Sequence, residues 1–159
     1  METAIFAAGC FWGVQFYFDQ VPGVVRTVVG YTGGTVPDPT YEMVCTDTTG
    51  HAEAVLVEFD PEKVSYETLT RHFFRLHNPT QLNRQGPDVG TQYRSAIFYR
   101  TDQQRVVAEH IREELQPEHE QPIVTEITQA GSFYEAEAYH QKYAERTGRG
   151  VCHVAYKPL

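Results

Sequence analysis

The sequence passes from an apolar segment straight into a cysteine, in Thr3-Ala4-Ile5-Phe6-Ala7-Ala8-Gly9-Cys10-Phe11-Trp12-Gly13. The apolar run over Thr3–Ala8 predicts a short buried strand, and the aromatic pattern over Phe11–Asp19 predicts a helix that ends before Pro22. Cys10 therefore falls at a strand-to-helix junction. The unpaired N–H groups and the positive dipole end of a helix favour a thiolate, so Cys10 is a candidate nucleophile. The alternative is a buried, inert cysteine.

The composition of the 159-residue chain is typical of one soluble globular domain, with 41% hydrophobic and 21% charged residues. Its net charge is -8 and its lysines and arginines are scattered, which argues against a nucleic-acid partner, because nucleic acid calls for a concentrated basic patch. No basic segment precedes a long apolar stretch near the N-terminus. We therefore expect neither a signal peptide nor a membrane span.

The chain contains an odd and sparse set of cysteines, Cys10, Cys45 and Cys152. Such a set is a poor disulfide framework and fits a reducing compartment, so we expect a cytoplasmic protein. Cys152 lies in a glycine-rich C-terminal segment, where a second thiol can attack a sulfenic acid on a first thiol to give a disulfide. An incidental surface cysteine is the alternative for Cys152, and we take Cys45 to be incidental.

The hydrophobic pattern predicts strands over Thr3–Ala8, Val24–Tyr31, Ala52–Phe59, Ala96–Tyr99 and Ile123–Ile127. It predicts helices over Phe11–Asp19, Ser65–Leu76 and Thr101–Leu115, and a last helix that starts at a capping-box pattern at Ser132 and ends before Gly148. This order predicts an α+β two-layer sandwich with a ferredoxin-like βαββαβ core and additional helices. We treat 1–159 as a single domain, with a core of about 3–146 and a long, irregular and mobile C-terminal tail over 147–159.

The segment His77–Ser95 has no periodic pattern, and it is rich in side chains that form hydrogen bonds. Long loops of this kind in compact domains are usually functional or disordered. We therefore expect this loop to form one wall of a site. A second polar segment, over Thr35–Gly50, lies between two predicted strands.

Glu53 is the second informative residue, because strand alternation places it on the same face as Val55, Val57 and Phe59. A carboxyl group on an apolar face loses hydration, which raises its pKa and allows it to act as a general acid near neutral pH. The opposite face of this strand is also apolar. Glu53 could therefore instead sit at the start of the strand and reach solvent.

Other candidate residues have weaker signals. Phe11 and Trp12 follow the thiol directly and could line an apolar pocket, although core packing is the default for aromatic residues at helical spacing. Tyr41 and Tyr93 lie in polar segments that contain glycine or proline, so they could donate phenolic hydrogen bonds to a substrate or simply pack. Asp88 lies next to Pro87, a context more typical of a turn than of a site.

Several blocks of the sequence, in this order, closely resemble the A-type peptide methionine sulfoxide reductases. The blocks are Gly9-Cys10-Phe11-Trp12-Gly13, Gly30-Tyr31-Thr32-Gly33-Gly34, Pro39-Thr40-Tyr41, Gly50-His51-Ala52-Glu53-Ala54 and 83–95 (Asn-Arg-Gln-Gly-Pro-Asp-Val-Gly-Thr-Gln-Tyr-Arg-Ser). The resemblance extends from about Ile5 to Cys152. The chain departs from the usual family pattern at Asn78, where Asp is frequent, and at Asp38, where Asn is frequent.

The resemblance implies a role for each candidate. Cys10 would be the nucleophile and Cys152 the resolving thiol, which would form a Cys10–Cys152 disulfide. A methyl pocket would be formed by Phe11 and Trp12, the sulfoxide oxygen would be bound and protonated by Glu53, Tyr41 and Tyr93, and the site would be supported by Asp88.

The family reduces the S epimer of methionine sulfoxide, both in oxidised proteins and as the free amino acid, and thioredoxin usually regenerates it. The resemblance therefore implies thioredoxin or another dithiol reductant as the partner and no metal or organic cofactor. We expect the protein to be a monomer.

Two other functions remain open at the level of sequence. A cysteine hydrolase could pair Cys10 with His51 as its base, since His51 lies close to Glu53 in the sequence. A non-catalytic ferredoxin-like binding domain is the alternative from a different class.

Overall fold

The structure is a computed structural model that describes residues 1–149, 156 and 159. Within these residues the strands are β1 (Glu2–Ala8), β2 (Val24–Thr32), β3 (Ala52–Phe59), β4 (Arg84–Gln85), β5 (Asp88–Val89), β6 (Ser95–Tyr99), β7 (Glu126–Gln129) and β8 (Phe133–Glu135). The α-helices of the same residues are α1 (Phe11–Asp19), α2 (Tyr41–Cys45), α3 (Tyr66–Arg75), α4 (Asp102–Leu115) and α5 (Tyr143–Thr147). The fold is of the mixed α/β type.

The central sheet has the strand order β7-β6-β1-β3-β2-β8, and β4 and β5 form a separate two-stranded hairpin. Strand β1 lies in the middle of this sheet and pairs antiparallel with both β3 and β6, so that Ile5 lies opposite Leu56 on one side and Phe98 on the other. Strand β2 extends the sheet beyond β3 in antiparallel register, and β7 joins β6 in parallel.

The continuous apolar run of β1 is explained by burial on both faces of the sheet. Ala4, Phe6 and Ala8 belong to the main core, together with residues of α1, α3 and α4. The alternate side chains, Ile5 and Ala7, enter a smaller apolar cluster on the opposite face. Because both faces of β1 are buried, a shift in its pairing register would misplace its side chains. The register of β1 is therefore strongly fixed, and so is the position of the segment that follows it, Gly9 and Cys10.

The main helices begin where the sequence predicts. Helix α1 has the predicted bounds, Phe11–Asp19. Ser65 caps α3 by accepting a hydrogen bond from the Thr68 N–H, and Thr101 caps α4 by accepting one from the Gln104 N–H. Such side-chain caps satisfy N–H groups that the first turn leaves unpaired, which is why these helix starts were readable from sequence.

The region after α4 differs from the prediction. The predicted strand over Ile123–Ile127 lies instead at Glu126–Gln129. The helix predicted from Ser132 is wrong, because Phe133–Glu135 forms β8 along the edge of β2, and a helix forms only over Tyr143–Thr147. The backbone groups at the edge of β2 need hydrogen-bond partners, and this tertiary requirement outweighs the local capping-box pattern.

The two polar segments also contain more structure than predicted. Residues 77–95 include the β4–β5 hairpin and a 3-10 turn over Thr91–Tyr93. Residues 35–50 include helix α2, so Tyr41 begins a helix rather than lying in a loop. Most of the predicted tail, including Cys152, lies outside the described residues. Within the described part of the chain, no helix combines the length and apolar character needed to cross a membrane.

Gly34 lies very close to the backbone of the segment 49–51, which leads into β3. A Cβ at Gly34 would lie 2.4 Å from the backbone N of His51 and 2.4 Å from the carbonyl oxygen of Thr49, and backbone atoms cannot rotate aside. We expect Gly34→Ala to lower the free energy of unfolding, measured by urea denaturation, by about 1–3 kcal/mol.

The matched control is Gly131→Ala, because a Cβ at Gly131 would meet no atom of the described residues within 4 Å. This variant should be unchanged or slightly more stable, since alanine restricts the unfolded chain. Equal stabilities of the two variants would contradict the close approach at Gly34.

Candidate active site

Cys10 is the N-cap residue of α1, at the junction that the sequence predicts. Strand β1 ends at Ala8, and Gly9 follows with a φ of 91°, a left-handed conformation that glycine adopts without strain. The chain thereby turns directly from the central strand into the helix. Cys10 is half-buried at this turn, two residues after the end of the central strand β1.

Glu53 lies beside the same helix start. It is located on β3 opposite Tyr31 of β2 and is only 1% exposed. Its Oε1 accepts a hydrogen bond from the backbone N–H of Phe11 at 3.2 Å. The alternative in which Glu53 reaches solvent is therefore wrong. Its buried carboxyl group is bonded to Phe11, the residue that follows the candidate nucleophile Cys10.

Burial is the main cause that raises the pKa of Glu53 to about 8; the Phe11 hydrogen bond opposes it and the charge of Asp88 adds to it. The carboxyl group is therefore mainly protonated at neutral pH. Its Oε2 is buried and has no hydrogen-bond partner among the described residues. A protonated acid with one uncommitted oxygen can donate its proton to a bound ligand.

Two tyrosine hydroxyls approach this acid from separate segments. Burial, a hydrogen bond to Cys45 and the charge of Glu53 raise the pKa of Tyr41. Burial raises the pKa of Tyr93 as well, followed by the charges of Glu53 and Asp88. Both phenols therefore keep their protons at neutral pH and can donate hydrogen bonds. The charge of Glu53 affects the pKa of both tyrosines, and the charge of Asp88 affects the pKa of Glu53, so these four side chains share one small region.

The segments that carry the two tyrosines are joined by Asp47. Its Oδ1 accepts a hydrogen bond from the backbone N–H of Thr91 at 3.1 Å and a second one from the Thr91 hydroxyl. Asp47 follows α2, and Thr91 begins the turn that ends at Tyr93. This contact fixes the two hydroxyl-bearing segments relative to each other.

The aromatic pair after Cys10 is held by other aromatic residues. Phe11 is completely buried, with its ring centroid 5.7 Å from that of Tyr31. Trp12 is half-buried and stacks on Tyr143 with the ring centroids 4.0 Å apart. Phe11 is therefore a core residue, the default for an aromatic residue at helical spacing, whereas Trp12 keeps part of its indole exposed beside the Cys10 turn.

Comparison with known proteins identifies the family. Residues 2–159 match the family model described as peptide methionine sulfoxide reductase. The chain belongs to this family.

Individual relatives cover nearly the whole chain. The peptide methionine sulfoxide reductase MsrA of Acidobacterium capsulatum is 51% identical over 156 residues, which cover 97% of this chain and 100% of the relative. The crystal structure of reduced Mxr1 from Saccharomyces cerevisiae matches with a TM-score of 0.92 and 35% identity, and covers 99% of this chain and 92% of that one. The structure of Mxr1 in complex with Trx2 matches with a TM-score of 0.64 and 28% identity, over 90% and 84% of the two chains. The protein is thus an oxidoreductase of the peptide methionine sulfoxide reductase family.

The site of this peptide methionine sulfoxide reductase includes Glu137, which sequence reasoning missed. Its two oxygens accept hydrogen bonds from the Tyr31 hydroxyl at 2.9 Å and from the Tyr41 backbone N–H at 3.0 Å. Burial works to raise the pKa of Glu137, but the hydrogen bonds from Tyr41 and Tyr31 hold it below the usual value. The ionised Glu137 therefore fixes the start of α2, and with it Tyr41.

His140 was also missed, and it lies on the other side of the site. Its Nδ1 accepts a hydrogen bond from the indole Nε1–H of Trp12 at 2.9 Å. Glu137 and His140 contact residues about a hundred positions away in the chain, in a segment that the sequence assigned to a helix. No local pattern marks such partners in a single sequence.

His51 is not placed to act as a base for Cys10. Its Nδ1 accepts a hydrogen bond from the Gly34 N–H at 3.0 Å, and its Nε2 bonds the carbonyl oxygen of Val36 at 2.7 Å. Both ring nitrogens are thus hydrogen-bonded to backbone groups, so His51 has a structural role. This geometry argues against the cysteine hydrolase.

The remaining cysteines differ in what the structure says of them. Cys45, on α2, is an exposed residue whose thiol has lost part of its hydration, which raises its pKa although the hydrogen bond from Tyr41 opposes this. A raised pKa disfavours the reactive thiolate. Cys152 lies outside the described residues, so its predicted part in a disulfide stays a prediction.

Replacement of the buried acid should change how stability depends on pH. The native pKa of Glu53 is raised from 4.5 to about 8, so the folded protein holds a proton between these values that the unfolded chain has released. The free energy of unfolding of the wild type therefore falls as pH rises through this window. Glu53→Gln keeps the Phe11 hydrogen bond but cannot ionise.

We expect the stability of Glu53→Gln relative to the wild type to increase with pH across this window, by on the order of a few kcal/mol, and to level off on either side. Urea denaturation over a series of pH values measures the difference. A difference that stays constant with pH would show that Glu53 is not a buried acid with a raised pKa.

Proposed function

We propose that the protein reduces the S epimer of methionine sulfoxide, in oxidised proteins and as the free amino acid, with Cys10 as the nucleophile. The observation that carries this proposal is the hydrogen bond from the Phe11 N–H to Glu53. It holds a carboxylic acid that is protonated near neutral pH against the first residue of the helix that Cys10 caps. Reduction of a sulfoxide requires both groups, because the sulfur needs a nucleophile and its oxygen needs a proton.

In the first step the Cys10 thiolate attacks the sulfoxide sulfur while Glu53 gives its proton to the sulfoxide oxygen. Tyr93 donates a hydrogen bond to this oxygen as negative charge builds on it, and Tyr41 does so once its hydroxyl turns away from Cys45. Asp88 supports the step because its charge helps to keep Glu53 protonated. The methyl group of the substrate packs on the half-buried Trp12, and the completely buried Phe11 supports this pocket from the core. The sulfur–sulfur bond formed by this attack and the S–O bond of the substrate then break as the hydroxyl group passes to Cys10, which becomes a sulfenic acid, and methionine leaves.

In the second step the Cys152 thiol attacks the sulfur of the Cys10 sulfenic acid, water is released, and a Cys10–Cys152 disulfide forms. Thioredoxin, or another dithiol protein, then reduces this disulfide and returns both thiols. The complex of the related yeast Mxr1 with Trx2 supports a thioredoxin as the partner. Neither step requires a metal or an organic cofactor.

We also propose that strands β6, β1, β3 and β2, with α1 and α3, form a ferredoxin-like core. The order of these four strands and the antiparallel pairing of each neighbour support it. We propose a cytoplasmic enzyme because the cysteines are sparse. We propose a monomer because the net charge of -8 opposes association between copies of the chain.

The activity is tested by the amount of methionine released from each sulfoxide epimer with a dithiol present. We expect turnover of the S epimer by the wild type and none by Cys10→Ser. Glu53→Gln should slow this step about 10²–10⁴-fold, the usual contribution of a positioned general acid.

Reduction of the disulfide form serves as the internal control, since it does not use the acid in this mechanism and should proceed at a similar rate in Glu53→Gln. Equal turnover of the two epimers, or activity in Cys10→Ser, would overturn the proposal.

Cys152→Ser separates the two steps. It should release one equivalent of methionine per enzyme at the wild-type rate and then stop cycling with thioredoxin, because the sulfenic acid has lost its resolving thiol. Burst and steady-state phases of methionine release measure both properties in one experiment. Sustained cycling with thioredoxin in this variant would mean that Cys152 is not required for resolution.

A further inference from the structure

The indole of Trp12, the single tryptophan of the chain, has a polar anchor that comes from the opposite end of the sequence. Its Nε1–H donates to His140 Nδ1 at 2.9 Å across a separation of 128 residues. We propose that His140 is a positioning residue for sulfoxide reduction, which acts by fixing the indole of Trp12 against the pocket for the substrate's methyl group. This proposal rests on the function proposed above for Cys10 and Trp12.

The imidazole of His140 is itself fixed by the rings around it. It is 1% exposed, and its centroid lies 4.4 Å from that of Tyr41 and 4.1 Å from that of Tyr139. Phe11 approaches it on another side, with the centroids 5.3 Å apart. A ring enclosed in this way has few rotamers available, so its Nδ1 is a stationary acceptor for the indole.

The hydrogen bond also defines the protonation of His140. Because Nδ1 accepts from the indole, the imidazole is neutral and carries its proton on Nε2. That Nε2 is buried and has no hydrogen-bond partner among the described residues. A buried polar atom without a partner costs stability, and this cost is tolerated where the other nitrogen of the ring has a specific task.

His140 connects the two sides of the site. Its ring contacts Tyr41, which is proposed to bind the sulfoxide oxygen, and its Nδ1 holds Trp12, which is proposed to bind the methyl group. The stack of Trp12 on Tyr143 fixes the plane of the indole, whereas the bond to His140 fixes its rotation within that plane. Both restraints are needed to hold the substrate sulfur in line with Cys10.

The test replaces His140 with residues that keep or lose the acceptor. Asn places its Oδ1 close to the position of Nδ1, Leu has no acceptor, and Gln places its amide farther along the side chain. We expect His140→Leu to lower kcat/KM for methionine S-sulfoxide about 10–100-fold, since a small misplacement of the substrate is sufficient for such a loss. His140→Asn should recover most of the loss. His140→Gln should behave like His140→Leu, and it provides the comparison if the leucine variant does not fold.

Trp12→Phe tests whether His140 acts on kcat/KM through the indole of Trp12. It removes the indole donor, so adding His140→Leu to Trp12→Phe should cause little further loss in kcat/KM. An undiminished further loss in this background would mean that His140 acts on another residue and would overturn the proposal, as would equal kinetics of the asparagine and glutamine variants.

Tryptophan fluorescence tests the anchor without any activity, because Trp12 is the single tryptophan and excitation beyond the absorption band of tyrosine makes it the only emitter. His140→Leu and His140→Gln should shift the emission maximum and lower the steady-state anisotropy, whereas His140→Asn should resemble the wild type. An unchanged spectrum in all three variants would overturn the anchor even if the enzyme reduces methionine sulfoxide. If the spectra change as expected but the wild type does not reduce the sulfoxide, then the function proposed above fails and the anchor does not.

Discussion

The hydrogen bond between the Phe11 N–H and Glu53 is the interaction on which the site depends. It exists because β1 and β3 are neighbours in the sheet, so the helix that follows β1 must begin beside the start of β3. The N–H groups of a first helical turn have no partner within the helix and attract a carboxylate. Burial opposes this attraction at Glu53 and is the larger effect, since the pKa is raised to about 8 rather than lowered.

The sheet positions Cys10 and Glu53, the proposed nucleophile and acid, but side-chain hydrogen bonds position the remaining residues of the candidate site. Asp47 joins the segments of Tyr41 and Tyr93, and Glu137 holds the start of α2. Few strand or helix bonds fix these segments, so the charged or polar side chains between them set their spacing. Charge-assisted bonds of this type are stronger and more directional than neutral ones, which suits segments that must define a small site.

The sequence was sufficient where local chemistry and tertiary structure agree. The continuous apolar run of β1, the glycine after it and the capped starts of α3 and α4 each have a physical cause within a few residues. Alternation along β3 left the burial of Glu53 open, because both faces of this strand are apolar, and only the structure shows that it is buried. Prediction from the sequence failed at Ser132, where a capping pattern lies beside a sheet edge that needs a partner. It also failed at Glu137 and His140, whose hydrogen-bond partners are distant in the chain.

In the mechanism proposed above, the environment of Glu53 also favours the return of its proton after each reduction. Once the acid has protonated the sulfoxide oxygen, a carboxylate is left in a site where only 1% of the residue is exposed. The anion is stabilised by one backbone hydrogen bond, while the neighbouring charge of Asp88 disfavours it. With a pKa of about 8, close to the surrounding pH, the group can both donate and regain a proton readily. The same burial that makes Glu53 an acid at neutral pH therefore restores it for the next substrate.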